Sequence, residues 1–308
     1  MSYTGEQRGL GSMVEEILLG DNPFIGVSHL SQEKARLELS EVSKLEAKVE
    51  VLKAGLEGGV TGFTFSTHQS NLELLEYMRE ICPEVLEKLS YYILIPYAQG
   101  YVRKANVYGT VGLAKTIIRS ILFNHPLDIV SFVITFNPSR VASLFIGTEV
   151  GPYLRILPRE RIKAILLHEI LTELIMAYDL VELLRELKRY VERKLGVDFG
   201  LETRNIGQLE KILERCGVEV KYVMTPMNPL GYQMSPSREK AERAIQELAE
   251  RGAKIIAINI LASGAVTLEE ACKYLKRFRD KVYAVAYGTV KPYRARGNAI
   301  TLKQCISL

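Results

Sequence analysis

Several features that would place a chain in a special class are scarce or missing here. Tryptophan does not occur, and only four histidines and four cysteines are present among 308 residues. The cysteines lie far apart with no C-x-x-C pair, which predicts separate reduced thiols and no disulfide framework or thiolate metal site. No apolar run reaches the roughly 18 residues of a membrane span, and the N-terminus lacks the basic-then-apolar order of a signal peptide. We therefore expect a cytoplasmic protein with no membrane partner.

The charge of the chain is also small. The formal net charge is +4, and no basic tract or nucleic-acid module accompanies it, so no nucleic-acid partner is expected. We therefore expect a small molecule as the partner. The glycine-containing loops after the last two predicted strands indicate that it is anionic. High Lys and Glu content with few Asn and Gln is in addition typical of a thermophile.

Short β-branched or aromatic runs alternate with amphipathic helical patterns along most of the chain. This alternation is typical of parallel βαβ units, because each crossover between parallel strands carries a helix. We predict a single (β/α)8 (TIM) barrel domain over residues 1–308. Seven of its strands are predicted at Phe24–Val27, Gly62–Ser66, Tyr91–Pro96, Val197–Glu202, Val218–Thr225, Lys254–Ile260 and Val282–Tyr287.

The eighth strand, fourth in order, has two candidates, Ile129–Phe136 and Ile162–Leu167. Periodicity cannot distinguish a short buried strand from a buried helix segment. The choice of Ile162–Leu167 leaves a helix directly before the strand at Val197. It also makes 103–160 a mainly helical insertion after strand three, which would cover the rim of the barrel as a lid.

Three of the four histidines follow predicted strands: His29 after strand one, His68 after strand two and His168 after strand four. Parallel barrel strands all end at one rim, so these side chains should converge. Imidazole suits both acid–base chemistry and metal ligation, and Glu202 ends strand five. All four residues are therefore predicted to be catalytic, with His68, His168 and Glu202 as ligands if a divalent metal is bound. The alternative is that each histidine only bonds a loop backbone.

Two further charged residues have ion-pair alternatives. Glu169 could act beside His168 or pair with Arg204. Lys221 could form a Schiff base, but its position within a strand favours an ion pair.

Small residues follow strands seven and eight. Ser263, Gly264, Gly288 and Thr289 would let backbone amides approach an anion, and Lys291 adds positive charge. Loops after these two strands are the commonest phosphate site of the fold, which predicts a phosphate or cofactor site here. The alternative is that they only form tight turns. Polar residues predicted to bind the substrate elsewhere on the rim are Asn22, Tyr97, Gln99, Arg204, Asn228 and Asn259.

The chain resembles a group of archaeal and bacterial barrel proteins distantly related to aldo/keto reductases. The resemblance is carried by residues 22–29, by His168 with Thr172 and Glu173, and by residues 222–225 and 260–264. It extends to the reductases themselves at 200–205, in the strand-seven loop and in the Gly288 loop, which in those enzymes surround a nicotinamide dinucleotide. The resemblance implies NAD(P) as a cofactor.

The catalytic residues of the aldo/keto reductases do not carry over with the fold. Thr64 or Ser66 stands where those enzymes have an aspartate, their catalytic tyrosine has no match, and Pro96 stands in place of a lysine. Their histidine matches His168.

Three functions therefore stay open. The first, favoured by the missing tyrosine and lysine, is a lyase, isomerase or hydrolase that acts on a small phosphorylated or carbonyl-bearing metabolite by His/Glu acid–base chemistry, with or without a metal. The second is an NAD(P)-dependent reductase with His68 or His168 as proton donor. The third is a barrel that binds a ligand without chemistry, since fold does not fix function.

Overall fold

A computed structural model describes residues 14–27, 32–96 and 138–307. Within them eight parallel strands close into a barrel in sequence order, which confirms the predicted (β/α)8 fold. The strands are β1 Glu16–Gly20, β2 Gly62–Ser66, β3 Ser90–Ile95, β4 Ile162–Leu167, β5 Asp198–Glu202, β6 Tyr222–Pro226, β7 Lys254–Ile258 and β8 Val282–Tyr287. The described helices are α1 Gln32–Glu41, α2 Leu45–Gly58, α3 Gln69–Ile81, α4 Pro83–Lys88, α5 Pro138–Leu154, α6 Glu169–Ala177, α7 Val181–Arg189, α8 Ile206–Cys216, α9 Arg238–Glu250, α10 Leu268–Leu275 and α11 Pro292–Ser307.

The strands are apolar on both faces because helices cover the outside of the barrel and side chains fill its inside. All six residues of β3 are buried. Each outer helix presents one apolar stripe, as α9 does with Ala241, Ala244, Ile245 and Leu248 at steps of three and four. None of the helices in the described ranges is long and apolar enough to cross a membrane.

Aromatic side chains fill the N-terminal end of the barrel interior. The rings of Tyr92 and Tyr222 meet edge to face at 5.6 Å, and those of Tyr222 and Tyr283 at 5.7 Å. Lys254 Nζ lies 4.0 Å from the Tyr283 ring centroid. This packing leaves the opposite, C-terminal end of the strands as the place for a cavity.

The prediction of strand one is wrong. The strand is Glu16–Gly20, and Asn22–Ile25, which contains the first half of the predicted strand, forms a 3-10 turn. Pro23 lacks the backbone N–H that a strand ladder needs, and Gly26 ends the turn with a left-handed φ of 71°. The residue that directly follows β1 is therefore Asp21, whereas His29 lies outside the described residues.

The choice of Ile162–Leu167 for strand four is correct, since it pairs with β3 on one side and β5 on the other. The rejected candidate, Ile129–Phe136, lies outside the described residues, as do residues 103–137 of the predicted insertion. Helix α5 falls within that insertion and contacts the loop after β2, where Tyr153 Oη donates to the His68 carbonyl at 2.9 Å. A lid function for 103–160 stays a prediction.

The expectation of four separate thiols is wrong for one pair. Cys272 of α10 and Cys305 of α11 form a disulfide with their Cα atoms 5.9 Å apart, while Cys82 and Cys216 are free. Spacing along the chain gave no indication of the pair, because only the packing of two neighbouring outer helices brings the two side chains together.

Loss of this disulfide should destabilise the fold. The bond closes a loop across a sequence separation of 33 residues, for which chain entropy predicts about 3 to 4 kcal/mol of the free energy of unfolding. Urea unfolding of Cys272→Ser under oxidising conditions measures this loss, with Cys216→Ser as the control that leaves the bond intact. Equal stability of the two variants, or four titratable thiols in the unreduced, unfolded protein, would contradict the assignment.

Candidate active site

A cavity of about 430 Å³ opens at the C-terminal end of the barrel and is lined by residues from the ends of all eight strands. Its floor is the inward face of the strands, including Gly20, Thr64, Leu94, Met224 and Ala286. The loops after β7 and β8 form one wall. This position is the one that active sites occupy in barrels of this kind.

Glu202 and His168 meet on one side of the cavity. Glu202 ends β5 with its carboxyl buried, and its Oε2 accepts the Glu169 N–H at 3.1 Å. His168 follows β4, and its Nε2 lies 3.8 Å from the same Oε2. Because His168 Nδ1 accepts the Ile170 N–H at the start of α6, the hydrogen of the neutral imidazole is assigned to Nε2. That N–H is directed to the side of Glu202.

The surroundings of this pair favour its uncharged forms. Burial raises the pKa of Glu202 to about 7, although the Glu169 N–H and Arg204 oppose the shift. Burial also lowers the pKa of His168, against the attraction of Glu169 and Asp21. A buried carboxyl with a pKa near neutrality can give and take a proton at the pH of a cell, which is the property of a general acid or base.

Glu169 forms the rim ion pair that was its alternative interpretation. Its Oε2 accepts from Arg204 Nε. Glu173, one turn further along α6, accepts from Thr203 Oγ1 at 2.6 Å and from the Arg204 and Asn205 N–H groups at 3.3 Å. These contacts fasten the loop after β5 to α6 and so hold Glu202 and Arg204 in place.

Asp21 is a cavity residue that the sequence analysis missed. Its Oδ2 accepts from the Ser66 N–H at 3.0 Å, from Ser66 Oγ at 2.9 Å and from Asn71 Nδ2 at 2.7 Å. Three donors favour the carboxylate, while complete burial raises its pKa. Asp21 also acts across the cavity, where its charge raises the pKa of both Glu202 and His168. A strand placed at Glu16–Gly20 would have identified it, as an acidic residue directly after a strand.

The loop after β7 has a strained backbone. Asn259, Ala262 and Ser263 hold left-handed φ angles of 49°, 44° and 60°, which are unfavourable for residues other than glycine. Asn259 Oδ1 accepts the Ser263 N–H at 2.9 Å, and the Gly264 N–H bonds to the Leu261 carbonyl. Since these two amides are used within the loop, an anion here would depend on side chains.

Cationic and polar side chains are available beside that loop. Ser263, Gly288, Thr289, Arg294 and Asn298 line the cavity. Lys291, in contrast, pairs with Glu41 of α1 at 2.8 Å. The Arg294 guanidinium lies 5.8 Å from the centroid of the Tyr293 ring and forms no ion pair within the described part of the chain, so its charge can meet an anionic group.

Other predicted site residues have structural contacts. His68 caps α3 by accepting the Ser70 N–H through Nδ1, and the described cavity lining includes His168 but not His68. Asn228 is buried and bonds the carbonyls of Tyr232 and Asn259. Lys221 pairs with Asp198 at 3.1 Å, as its ion-pair interpretation predicts.

The remaining predicted residues divide into two groups. Asn22, Arg204 and Asn259 line the cavity, whereas Tyr97 and Gln99 lie outside the described residues, as His29 does.

The predicted metal site is not supported. In residues 14–27, 32–96 and 138–307, no group of three or more His, Cys, Asp and Glu side chains is arranged to hold a metal ion. His168 and Glu202 approach each other, but His68 is engaged at the start of α3.

No family model and no curated protein sequence matches the chain, but solved structures do. An aldo-keto reductase from Bacillus halodurans in its holo form matches with a TM-score of 0.56 and 13% identity, over 97% of this chain and 94% of that one. A glycerol dehydrogenase from Gluconobacter oxydans matches with a TM-score of 0.54 and 12% identity, over 95% and 88%. A mutant of Gox0644 in complex with NADPH matches with a TM-score of 0.50 and 14% identity, over 97% and 93%. The chain therefore shares the fold of the aldo/keto reductases, and the distant resemblance seen in its sequence is confirmed.

These comparisons contradict the first functional hypothesis. The lyase, isomerase or hydrolase activity favoured from the sequence has no counterpart among these structures, whose names are those of reductases and a dehydrogenase. The alternative hypothesis, an oxidoreductase that uses a nicotinamide cofactor, stays a prediction.

Proposed function

We propose that the protein is a nicotinamide-dinucleotide-dependent oxidoreductase that interconverts a carbonyl compound and its alcohol, with Glu202 as the acid–base group. The observation that carries this proposal is the buried Glu202 carboxyl at the cavity floor, with a pKa of about 7 and His168 Nε2 at 3.8 Å. The pair supplies the proton transfer for which the aldo/keto reductases use a tyrosine that this chain lacks.

The side chains of the cavity wall include hydrogen-bond donors of the kind that a dinucleotide needs. Arg294 offers a positive charge, and Ser263, Thr289 and Asn298 offer neutral hydrogen-bonding groups beside it. These four residues would hold the phosphate and ribose groups of the dinucleotide. The strained turn at Ala262 and Ser263 supports a binding role, because strain of this kind persists where the surrounding structure fixes it and is concentrated at functional sites.

When bound, the dinucleotide supplies a hydride to the carbonyl carbon or accepts one from the alcohol carbon. In the direction of reduction, protonated Glu202 donates its proton to the carbonyl oxygen as negative charge develops there, and is left as a carboxylate. His168 Nε2–H then faces that carboxylate and stabilises it. Arg204, held by Glu169 at the rim, adds positive charge on the same side. Glu202 regains its proton from water.

Cofactor binding tests the proposal directly. We expect the protein to bind NADH or NADPH with a dissociation constant in or below the millimolar range, and to oxidise it in the presence of small aldehydes or ketones, measured as the loss of absorbance of the reduced nicotinamide. Arg294→Ala should weaken binding roughly tenfold, because one charged contact to an anionic group is removed. Arg279→Ala, on the surface after α10, is the control.

The opposite result would be equally clear. A protein that binds neither reduced nor oxidised dinucleotide at millimolar concentration is not an oxidoreductase of this type. Binding with no turnover of any carbonyl or alcohol would support the remaining hypothesis, a barrel that binds a ligand without chemistry.

A further inference from the structure

Arg204 brings N–H groups to the cavity that no other described residue uses. It follows β5, lines the cavity and has a side chain that is 39% exposed. Its Nε donates to Glu169 Oε2, whereas the two terminal nitrogens of the guanidinium have no partner among the described residues. These nitrogens carry a planar fork of N–H groups, which matches the two oxygens of a carboxylate.

Gln233, in the loop after β6, supplies a second donor to the cavity. The orientation of its amide follows from its neighbours. Asn259 Oδ1 accepts the Ser263 N–H at 2.9 Å, so Asn259 Nδ2 is a donor, and it donates to Gln233 Oε1 at 2.9 Å. The N–H groups of Gln233 Nε2 therefore remain for a ligand. Gln233 also holds a left-handed φ of 61°, and backbone strain of this kind is concentrated at functional sites.

The loops that carry these two side chains are bonded to each other. The Ser235 N–H, two residues after Gln233, donates to the Arg204 carbonyl at 2.8 Å. The guanidinium and the amide thus come from segments that are held together beside the cavity. We refer to Arg204 and Gln233 as the donor pair.

The proposed acid lies next to the donor pair. The Glu169 N–H donates to Glu202 Oε2 at 3.1 Å, and the carboxylate of the same Glu169 accepts from Arg204 Nε. A single residue therefore contacts both groups, and the charge of Arg204 acts on Glu202 and on His168. A carbonyl that meets Glu202 and an anionic group that meets Arg204 would lie on the same or on nearby carbons of a small ligand.

The negative charges of the cavity do not oppose such a ligand. The described lining contains four acids, Asp21, Glu38, Glu169 and Glu202. Asp21 has the buried Lys48 of α2 as a charge partner, Glu169 pairs with Arg204, and Glu38 also has an interaction partner. Burial raises the pKa of Glu202 to about 7, so this group is largely uncharged below neutral pH. An anionic group at the donor pair therefore meets no isolated carboxylate of the described lining.

We propose that Arg204 and Gln233 bind a substrate carboxylate, and that the substrates are short oxo acids with the carboxylate on the carbonyl carbon or one carbon away. The corresponding hydroxy acids are the products of reduction. The proposal rests on the proposed oxidoreductase function and names the substrate class of that site. The donor pair binds and orients the substrate, while the hydride comes from the dinucleotide and the proton from Glu202.

The test compares each oxo acid with its amide, which has the same size and no charge. The pairs are pyruvate with pyruvamide, and acetoacetate with acetoacetamide for the longer spacing. In one pair or both, the wild type should reduce the acid with a kcat/KM about 10- to 100-fold above that for the amide, because charge-assisted hydrogen bonds to the carboxylate are lost in the amide. In Arg204→Gln this ratio should fall to about one, chiefly through a higher KM for the acid.

A second variant changes only the donor of Gln233. Gln233→Glu keeps an oxygen to accept from Asn259 Nδ2 and replaces the N–H groups by a negative oxygen, so the protein should now prefer the amide over the acid. Arg251→Gln is the control, because Arg251 pairs with Glu210 and Glu214 on the outer helices, and its loss should leave the ratio unchanged. A wild-type ratio in both Arg204→Gln and Gln233→Glu would overturn the role of the donor pair.

Binding of the same four compounds, measured by ligand-observed NMR at millimolar concentration, separates this proposal from the proposed function. An acid that the wild type binds and both variants lose, in a protein that binds no dinucleotide, would support the carboxylate site and refute the oxidoreductase. Reduction of acid and amide with equal kcat/KM would support the oxidoreductase and overturn the carboxylate site. Absence of both binding and turnover of the two acids would likewise overturn the carboxylate site, whatever the outcome for the cofactor.

Discussion

Glu202→Gln should lower kcat for carbonyl reduction by about 10² to 10⁴-fold, the usual contribution of a general acid, with a much smaller effect on KM. Glutamine keeps the size of the side chain and can still accept the Glu169 N–H that holds Glu202 Oε2, but it has no proton to give. The loss therefore reports proton transfer and not the shape of the floor.

The pH dependence of kcat/KM gives a second test of Glu202 as the proton donor. Reduction needs protonated Glu202, whose pKa is raised to about 7. The kcat/KM of the wild type should be level below about pH 6 and fall about tenfold per pH unit above about pH 8, while alcohol oxidation, which needs the carboxylate, should rise over the same range. Both trends should disappear in Glu202→Gln.

A control for this variant is Glu210→Gln. Glu210 is equally buried but pairs with Arg251 on the outer helices at 2.6 Å, so its loss should leave the pH profile unchanged. An unaltered wild-type profile in Glu202→Gln would remove Glu202 from the proton transfer and leave His168 as the candidate.

Asp21→Ala should have the largest effect on stability, about 2 to 5 kcal/mol of the free energy of unfolding. The substitution removes the acceptor of the Ser66 N–H, Ser66 Oγ and Asn71 Nδ2, and these donors are buried. Asp21→Asn, which retains one accepting oxygen, should lose less. Because the Asp21 charge raises the pKa of Glu202, the asparagine variant should also shift the fall in reduction rate to lower pH.

Urea unfolding measures the stability difference, with Asp198→Ala as the control. Asp198 forms an ion pair with Lys221 that is 39% and 51% exposed at its two side chains, and exposed pairs contribute at most about 1 kcal/mol. If the two alanine variants unfold at the same urea concentration, the Asp21 network contributes no more than a surface pair.

Most of the barrel could be predicted from the sequence because its strands are continuous apolar runs between clear helices. The position of strand one could not be predicted in this way. Glu16–Gly20 begins with a charged residue and contains only three buried positions. The residues after Pro23 are also mostly apolar and so look like a strand, but they belong to a 3-10 turn. Pro23 and Gly26 determine that these residues form a turn. A pattern of hydrophobicity does not reveal the effect of either residue.

The candidate site, too, could be predicted only in part from the sequence. His168, Glu202 and Arg204 could be predicted, because each follows or ends a strand that was placed correctly. Asp21 was not predicted, because it directly follows strand one, which was placed wrongly. The role of Asn228 in bonding the Tyr232 and Asn259 carbonyls, and the engagement of Lys291 by Glu41, depend on contacts between segments distant in sequence, for which no local pattern exists.

Thr64 and Thr225 each hold a buried hydroxyl that bonds to nothing in the described protein. An unpaired hydroxyl of this kind costs about 1 kcal/mol or more, so valine at either position should raise the melting temperature. Directed evolution for heat resistance alone would therefore accept valine at both positions without distinction. Thr64 lines the cavity, whereas Thr225 is not among the lining residues, so selection for turnover would act on valine at Thr64 alone, and a difference between the two outcomes would show whether activity needs that hydroxyl.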